Sequence, residues 1–354
     1  MNLGRGSRAP IACLLAATLV AACSRGESPQ GTASPTETGS TGSAPTVSSS
    51  PTPEIVATPA ARFLVEKFDV ANPQGFAVGF GSVWVVGHRD GTISRIDPKT
   101  NEVSAVIPGI GYQAQDVVVG DGSVWVPASG ANYVARIDPA TNKIVSKLHV
   151  GAVSDVDFGF GSLWAATKDM QLFRIDPTTE RVVARIQIGP KGPNDCNNGP
   201  VVTARWVWVS VCDTGMLMQV DLATNRIVRR IDIAKLFNVT SGQGLFASAD
   251  ALWVVLGTPS LIARLDPDTG KVVRRSTLDY SRVSPGGFMA VDQGTLWLGG
   301  DGILTEFDAK SLKILATYRV IGAGEADPGV GFGSVWAMIF DYSEVSRFDV
   351  PDTG

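Results

Sequence analysis

From residue 62 onward the chain alternates short apolar runs, rich in Val and Ile, with clusters of Gly, Pro, Asn and Asp. Runs of this length and composition, bounded by turn residues, predict strands. The runs come in sets of four. Ahead of a glycine pair stands a short apolar run such as GFAV or DVVV, followed by a run such as SVWVV. A third run reads TISRIDP, YVARIDP, QLFRIDP or LIARLDP, and a fourth reads KIVSKLHV, RVVARIQI or RIVRRIDI. The third and fourth are joined by DPKTN, DPATN, DPTTE, DLATN or DPDTG, in which Asp accepts bonds from the turn backbone and, in all but DLATN, Pro presets φ. These segments predict tight hairpins.

The sets repeat. The hexapeptide GFGSVW stands at residues 79–84 and again at 331–336, and its tryptophan marks the period. Equivalent tryptophans are Trp84, Trp125, Trp164, Trp208, Trp253, Trp297 and Trp336, spaced 39 to 45 residues apart. Four antiparallel strands in a period of about 40 residues are the signature of a β-propeller blade. The seventh unit ends at VSRFDVPDTG without a fourth strand, whereas RFLVEKFDV at residues 62–70 precedes the first unit as an orphan fourth strand. The expected fold is therefore an all-β, seven-bladed β-propeller, closed by pairing of the N-terminal strand with the last blade, which leaves neither terminus with an open edge.

The repeat unit resembles the YVTN-type surface propellers and, more loosely, the streptogramin (virginiamycin B) lyase family of seven-bladed propellers. Residues 131–151, ANYVARIDPATNKIVSKLHVG, carry the nearest match to the YVTN pattern, and the resemblance covers about 62–350. The lyase resemblance implies cleavage of a cyclic depsipeptide by elimination, using histidine and glutamate side chains with magnesium. This chain has two histidines. His149 falls in an outer strand and His88 stands alone in a loop, so the family's histidine pair has no counterpart and its residues do not transfer. The sequence also has no G-x-S-x-G elbow and no HExxH. The reading is a binding module with no cofactor and no resident metal, with a lyase-like enzyme as the alternative.

The recurring residues read as structural. The tryptophans are expected to pack between blades. The glycine pairs are turns, because a phosphate loop would need a following helix and a βαβ unit. A single Asp per turn supplies too few oxygens for calcium.

The N-terminal segment changes the cellular picture. Arg5 and Arg8 precede an apolar run from Ile11 to Val20, too short to span a bilayer, and then a small-residue stretch. Val20, Ala21, Ala22 and Cys23 resemble the bacterial lipobox, which implies a signal peptide over 1–22 and diacylation of Cys23. The alternative is an ordinary cleaved signal in which Cys23 is incidental. Residues 24–61 are dominated by Ser, Thr, Pro and Gly, so 23–61 is expected to be a lipidated, disordered linker reaching about 35 Å. The propeller follows over 62–354. The expectation is an exported monomer, anchored by lipid to the outer face of the cell membrane, whose partner is a small molecule, a cell-wall component or a protein.

Charge adds an exclusion. Lys and Arg total 30 against 34 Asp and Glu. Loss of Arg5 and Arg8 with the signal leaves the mature chain two units more negative than the formal −4. No clustered basic run marks a nucleic-acid partner.

Function is then sought where the repeats differ. The loops from second to third strand, and from the fourth strand to the next blade, share the channel mouth. They collect Gln74, His88, Arg89, Asp90, Tyr112, Gln113, Gln115, Asp116, Asn132, Asp155, Lys168, Asn194, Asp195, Asp213, Gln243, Asp301, Glu325, Asp327 and Tyr342. This candidate face is polar and moderately acidic.

Of the four cysteines, Cys13 leaves with the signal and Cys23 is taken by lipid. Cys196 and Cys212 remain, at the ends of neighbouring strands, and in an exported protein such a pair is most simply a disulfide contributing about 3 kcal/mol. The mature protein is expected to show no free thiol under denaturing conditions; detection of two would remove the disulfide.

Overall fold

Two hairpin turns in each repeat follow from local chemistry. At the turn between third and fourth strands, Asp97 accepts from the Lys99 N–H at 2.8 Å, Asp138 from Ala140 at 2.9 Å and Asp176 from Thr178 and Thr179 at 2.8 and 2.9 Å. At the turn between first and second strands, Phe80 and Gly81 have φ of 54° and 71°, and Asp121 and Gly122 have 49° and 69°. Two successive left-handed residues make the type I′ turn that matches strand twist. Phe160 and Phe332 take the same conformation as Phe80, at φ of 53° and 55°.

These turns close four-stranded antiparallel meanders in the computed structural model, which describes residues 57–191, 197–212, 214–238, 243–248, 250–257, 260–278, 289–292, 294–322 and 324–351. Repeat one runs Pro73–Gly79, Ser82–Gly87, Thr92–Asp97 and Glu102–Ile107 from the inside outward, and repeats two to five follow the same order. The described residues pack as one unit. Among the described residues no helix is long and apolar enough to cross a membrane.

What joins one repeat to the next is a relay built on the arginine of the third strand. Arg95 donates from Nε to Ser82 Oγ at 2.8 Å within its own repeat. Its Nη1 reaches the Pro139 carbonyl at 2.6 Å and Asn142 Oδ1 at 2.8 Å, in the turn of repeat two. The guanidinium lies 4.9 Å from the Trp84 ring, whose indole N–H donates back to the Gly79 carbonyl at 3.1 Å. Arg136 repeats this toward Pro177 and Glu180, and Arg174 toward Leu222 and Asn225. Arg347, in repeat seven, completes the ring by donating to the carbonyl of Pro98 and to Asn101 in repeat one. The seven marker tryptophans are all buried, at 0–4% exposure.

The relay is incomplete in the other repeats. In repeat four Gln219 takes the arginine's place and donates to the Asp268 carbonyl at 2.8 Å, while Trp208 donates to the Pro267 carbonyl. In repeat five Arg264 Nε and the Trp253 indole nitrogen are buried without a hydrogen-bond partner. In repeat six the position holds Glu306, which is buried and accepts from the Tyr318 hydroxyl at 3.3 Å. Burial, and then that carboxylate, push the Tyr318 hydroxyl up to about 12.

The N-terminal strand Leu64–Asp69 pairs antiparallel with Glu344–Phe348, so the last repeat takes its outermost strand from the start of the domain. Two expectations need correction. The final four residues assigned to the linker are structured: Thr58–Pro59 pairs in parallel with Tyr318–Arg319, and Ala60 is buried. Nor are there seven separate blades. Five repeats stand as separate four-stranded sheets, and repeats six and seven share one nine-stranded sheet. The cause lies in the second strand of repeat six, Thr295–Asp301, whose last two residues pair with Ala326 and Glu325 of the neighbouring inner strand. A Cβ on Gly299 would collide with the Ala326 carbonyl oxygen, so only bare backbone permits this approach. Asp301 then accepts from the Gly324 N–H at 2.6 Å and pins the junction.

Arg136→Ala and Arg347→Ala are each expected to lower stability by about 1–3 kcal/mol, because each leaves the carbonyl of a buried proline in the next repeat without its arginine donor. Arg264→Ala, which breaks no relay, is expected to cost less than about 1 kcal/mol. Urea melts of the three variants check the order.

Candidate functional site in the central channel

The inner strands surround a channel of about 600 Å³. Its wall includes Gln74–Val78 of repeat one, Asp116–Val118 of repeat two, Asp155–Asp157 of repeat three and Asn198–Val201 of repeat four. Segments of repeats five, six and seven complete it, among them Phe246, Ala290 and Gly329. Among the described residues no Lys, Arg or His lines this cavity.

Three carboxylates give the channel its chemistry. Asp116 accepts from the Val117 N–H at 2.7 Å and from the Val156 N–H of the next repeat at 2.9 Å. Asp157 accepts from Phe158 at 2.7 Å and from Val202 of the next repeat at 2.6 Å. Each thus clamps two inner strands together. Burial nonetheless raises Asp116 above the ordinary carboxylate range and pushes Asp157 up to about 7, outweighing the hydrogen bonds that favour the charged form. Burial, followed by the charge of Asp116, raises Asp155 to about 8.

Asp157 was not in the candidate set, although its signal was present. In SDVDFG the two aspartates are two residues apart, so a strand directs both to one side. Near this group lies Gln74, whose Oε1 is buried without a hydrogen-bond partner. Asp327, also on an inner strand, is buried at 3% exposure.

The rest of the predicted face divides. His88 is held by its Nδ1 at 2.9 Å from the Ala114 carbonyl and packs 5.8 Å from the Phe340 ring, over which Arg89 also lies. Asp90 accepts from the Thr92 N–H and hydroxyl and caps its own turn. Gln113 and Asn132 occupy left-handed turn positions, and the Gln113 carbonyl accepts from Ser129. Gln115 and Lys168 are half-buried, whereas Tyr112, Tyr342, Asp301 and Glu325 are exposed. Asn194, Asp195, Asp213 and Cys196 lie outside the described residues, as does the side chain of Gln243. His149 lies just past the outer strand Lys143–Leu148, not within it, and packs 5.4 Å from the Tyr133 ring. The two histidines therefore sit in unconnected settings. Among the described residues no three His, Cys, Asp or Glu are grouped to hold a metal, so the magnesium of the lyase resemblance finds no fitting donor set.

No protein-family model matches the chain, and no curated protein matches it. Solved structures do match in shape. Hydrazine synthase of Kuenenia stuttgartiensis aligns with a TM-score of 0.65 at 13% identity, covering 80% of this chain and 97% of that one. The β-propeller domain of Cps50 (Swd1) from Myceliophteria thermophila aligns with a TM-score of 0.66 at 14% identity, covering 81% and 99%. The fold is a β-propeller. At such identities the likeness is one of fold, and the chemistry of the propeller has to be read from its own residues.

The channel carboxyls set an expected pH dependence. Their folded values lie above the unfolded ones, so their contribution to stability is complete below about pH 4 and is lost as pH rises through about 7 and 8. The turn aspartates act oppositely: hydrogen bonds from Thr141 hold Asp138 low, so its contribution fades as pH falls below the ordinary carboxylate range. Melting temperature should fall between pH 5 and pH 9, and Asp155→Asn should flatten that slope.

Proposed function

We propose that the chain is an exported, lipid-anchored binding protein whose propeller takes its ligand at the mouth of the central channel. The observation that carries this reading is the cavity itself. Its volume of about 600 Å³ falls within the size of ligand pockets, and its wall combines apolar surface with a few convergent polar groups. Carboxyls and the Gln74 amide oxygen favour a ligand that presents hydrogen-bond donors. Loops on a rigid scaffold are where recognition commonly resides, and Tyr112, Tyr342 and Glu325 stand exposed in such positions.

The remaining parts of the reading follow the repeat. We take the seven sequence units as seven blades, the last two fused along one edge, in a YVTN-like repeat. The lipobox-like Cys23 and the Ser/Thr/Pro-rich segment behind it support a tether on the outer face of the membrane. A bridge between Cys196 and Cys212 is supported by strand register: Asn197, which follows Cys196 in the sequence, stands opposite Val211, which precedes Cys212.

A thermal-shift screen against metals, sugars, peptides and cell-wall fragments tests the proposal, since a ligand selective for the folded form raises its stability. A hit is expected to lose its shift in Asp155→Asn/Asp157→Asn and in the channel-filling variant Ala290→Trp. Shifts unchanged in all of these variants would overturn the channel as the site.

A further inference from the structure

The outermost strands carry a second charge pattern that the channel reading does not use. In every repeat the fourth strand has a β-bulge at the same place, where one residue is skipped in the pairing with the third strand. In repeat two the skipped residue is Val145, 56% exposed, with Lys143 and Lys147 two residues to either side. In repeat three it is Val183, 55% exposed, between Arg181 and Arg185. Repeat four has Val228 between Arg226 and Arg230, and repeat five has Val273 between Lys271 and Arg275. All eight bases are exposed.

The first base of each set lies near its hairpin's turn aspartate, as Lys143 stands opposite Asp138. The second does not: Lys147, Arg185, Arg230 and Arg275 stand opposite Ala135, Phe173, Met218 and Ala263. None of these four makes an ion pair among the described residues. Edge protection does not account for them. The bulge already blunts the edge, and repeat one has the same bulge with Glu102, Ser104 and Val106 in place of base, valine and base. An acidic protein thus gathers uncompensated positive charge along one arc of its rim.

We propose that this arc, repeats two to five, is a docking surface for a flexible linear polyanion of the polyphosphate type. Successive repeats follow the curve of the ring, so a flat bilayer meets only a neighbouring pair of bulges, while a flexible chain can follow all four. Nucleobases would need exposed rings to stack on. The rings beneath Lys147 and Arg185 are Tyr133 and Phe173, buried at 8% and 4%, and valines stand between the bases.

The test is titration of the full-length chain with long-chain inorganic polyphosphate at two salt concentrations. Binding that weakens with salt is expected, with at least a tenfold loss in Lys147→Gln/Arg185→Gln/Arg230→Gln/Arg275→Gln. A control removing the same charge elsewhere, Lys67→Gln/Lys99→Gln/Lys310→Gln/Lys313→Gln, should lose less than threefold. Melting curves establish that both variants fold. Equal losses in the two variants would reduce the effect to net charge and overturn the arc. Tighter binding of oligothymidylate of equal charge, or binding of phosphatidylglycerol vesicles without polyphosphate, would overturn the choice of partner.

Discussion

The architecture depends on one recurring contact, in which an arginine lies against a buried tryptophan and hands its hydrogen bonds to the turn of the next repeat. A guanidinium is planar, always charged and rich in donors, so it can hold a serine behind it and a carbonyl ahead of it at once. The tryptophan supplies a flat, buried platform that fixes the plane of the group. Because Arg347 makes this contact onto Pro98 and Asn101, the last repeat is held to the first by the same chemistry that joins one to two.

Where the relay is missing, other devices take over. Gln219 reaches the turn of the next repeat with a neutral amide, one residue further on, at the Asp268 carbonyl. Repeats six and seven, without an arginine at position 306, are tied by backbone pairing over Gly300 and Asp301. A sheet continuous across two repeats thus joins repeats six and seven without that side-chain bridge. It also explains why counting repeats and counting sheets give different results for this chain.

Charge is sorted radially by the fold. Carboxyls converge inside, where Asp116 and Asp157 clamp adjacent inner strands and Asp155 is raised by burial and by its neighbour. Bases stand outside, on the outermost strands of repeats two to five. Neither concentration is visible in the overall charge, because residues about 40 apart in the chain become neighbours only around the ring.

The sequence by itself determined the strands, the turns, the period and the partnership of the N-terminal strand with the last repeat. These depend on local rules: alternation, Asp-Pro turns, and the missing fourth strand in VSRFDVPDTG. It also determined the burial of the marker tryptophans, because one residue type recurs at one strand position. Tertiary structure alone decided the fusion of the last two repeats, since the clearance at Gly299 depends on where Ala326 arrives. It alone decided which acids matter. Asp90 and Asp157 look alike in a sequence, yet one caps an exposed turn and the other is desolvated in the channel. Burial is a property of what packs around a group, and only the closed ring supplies those neighbours.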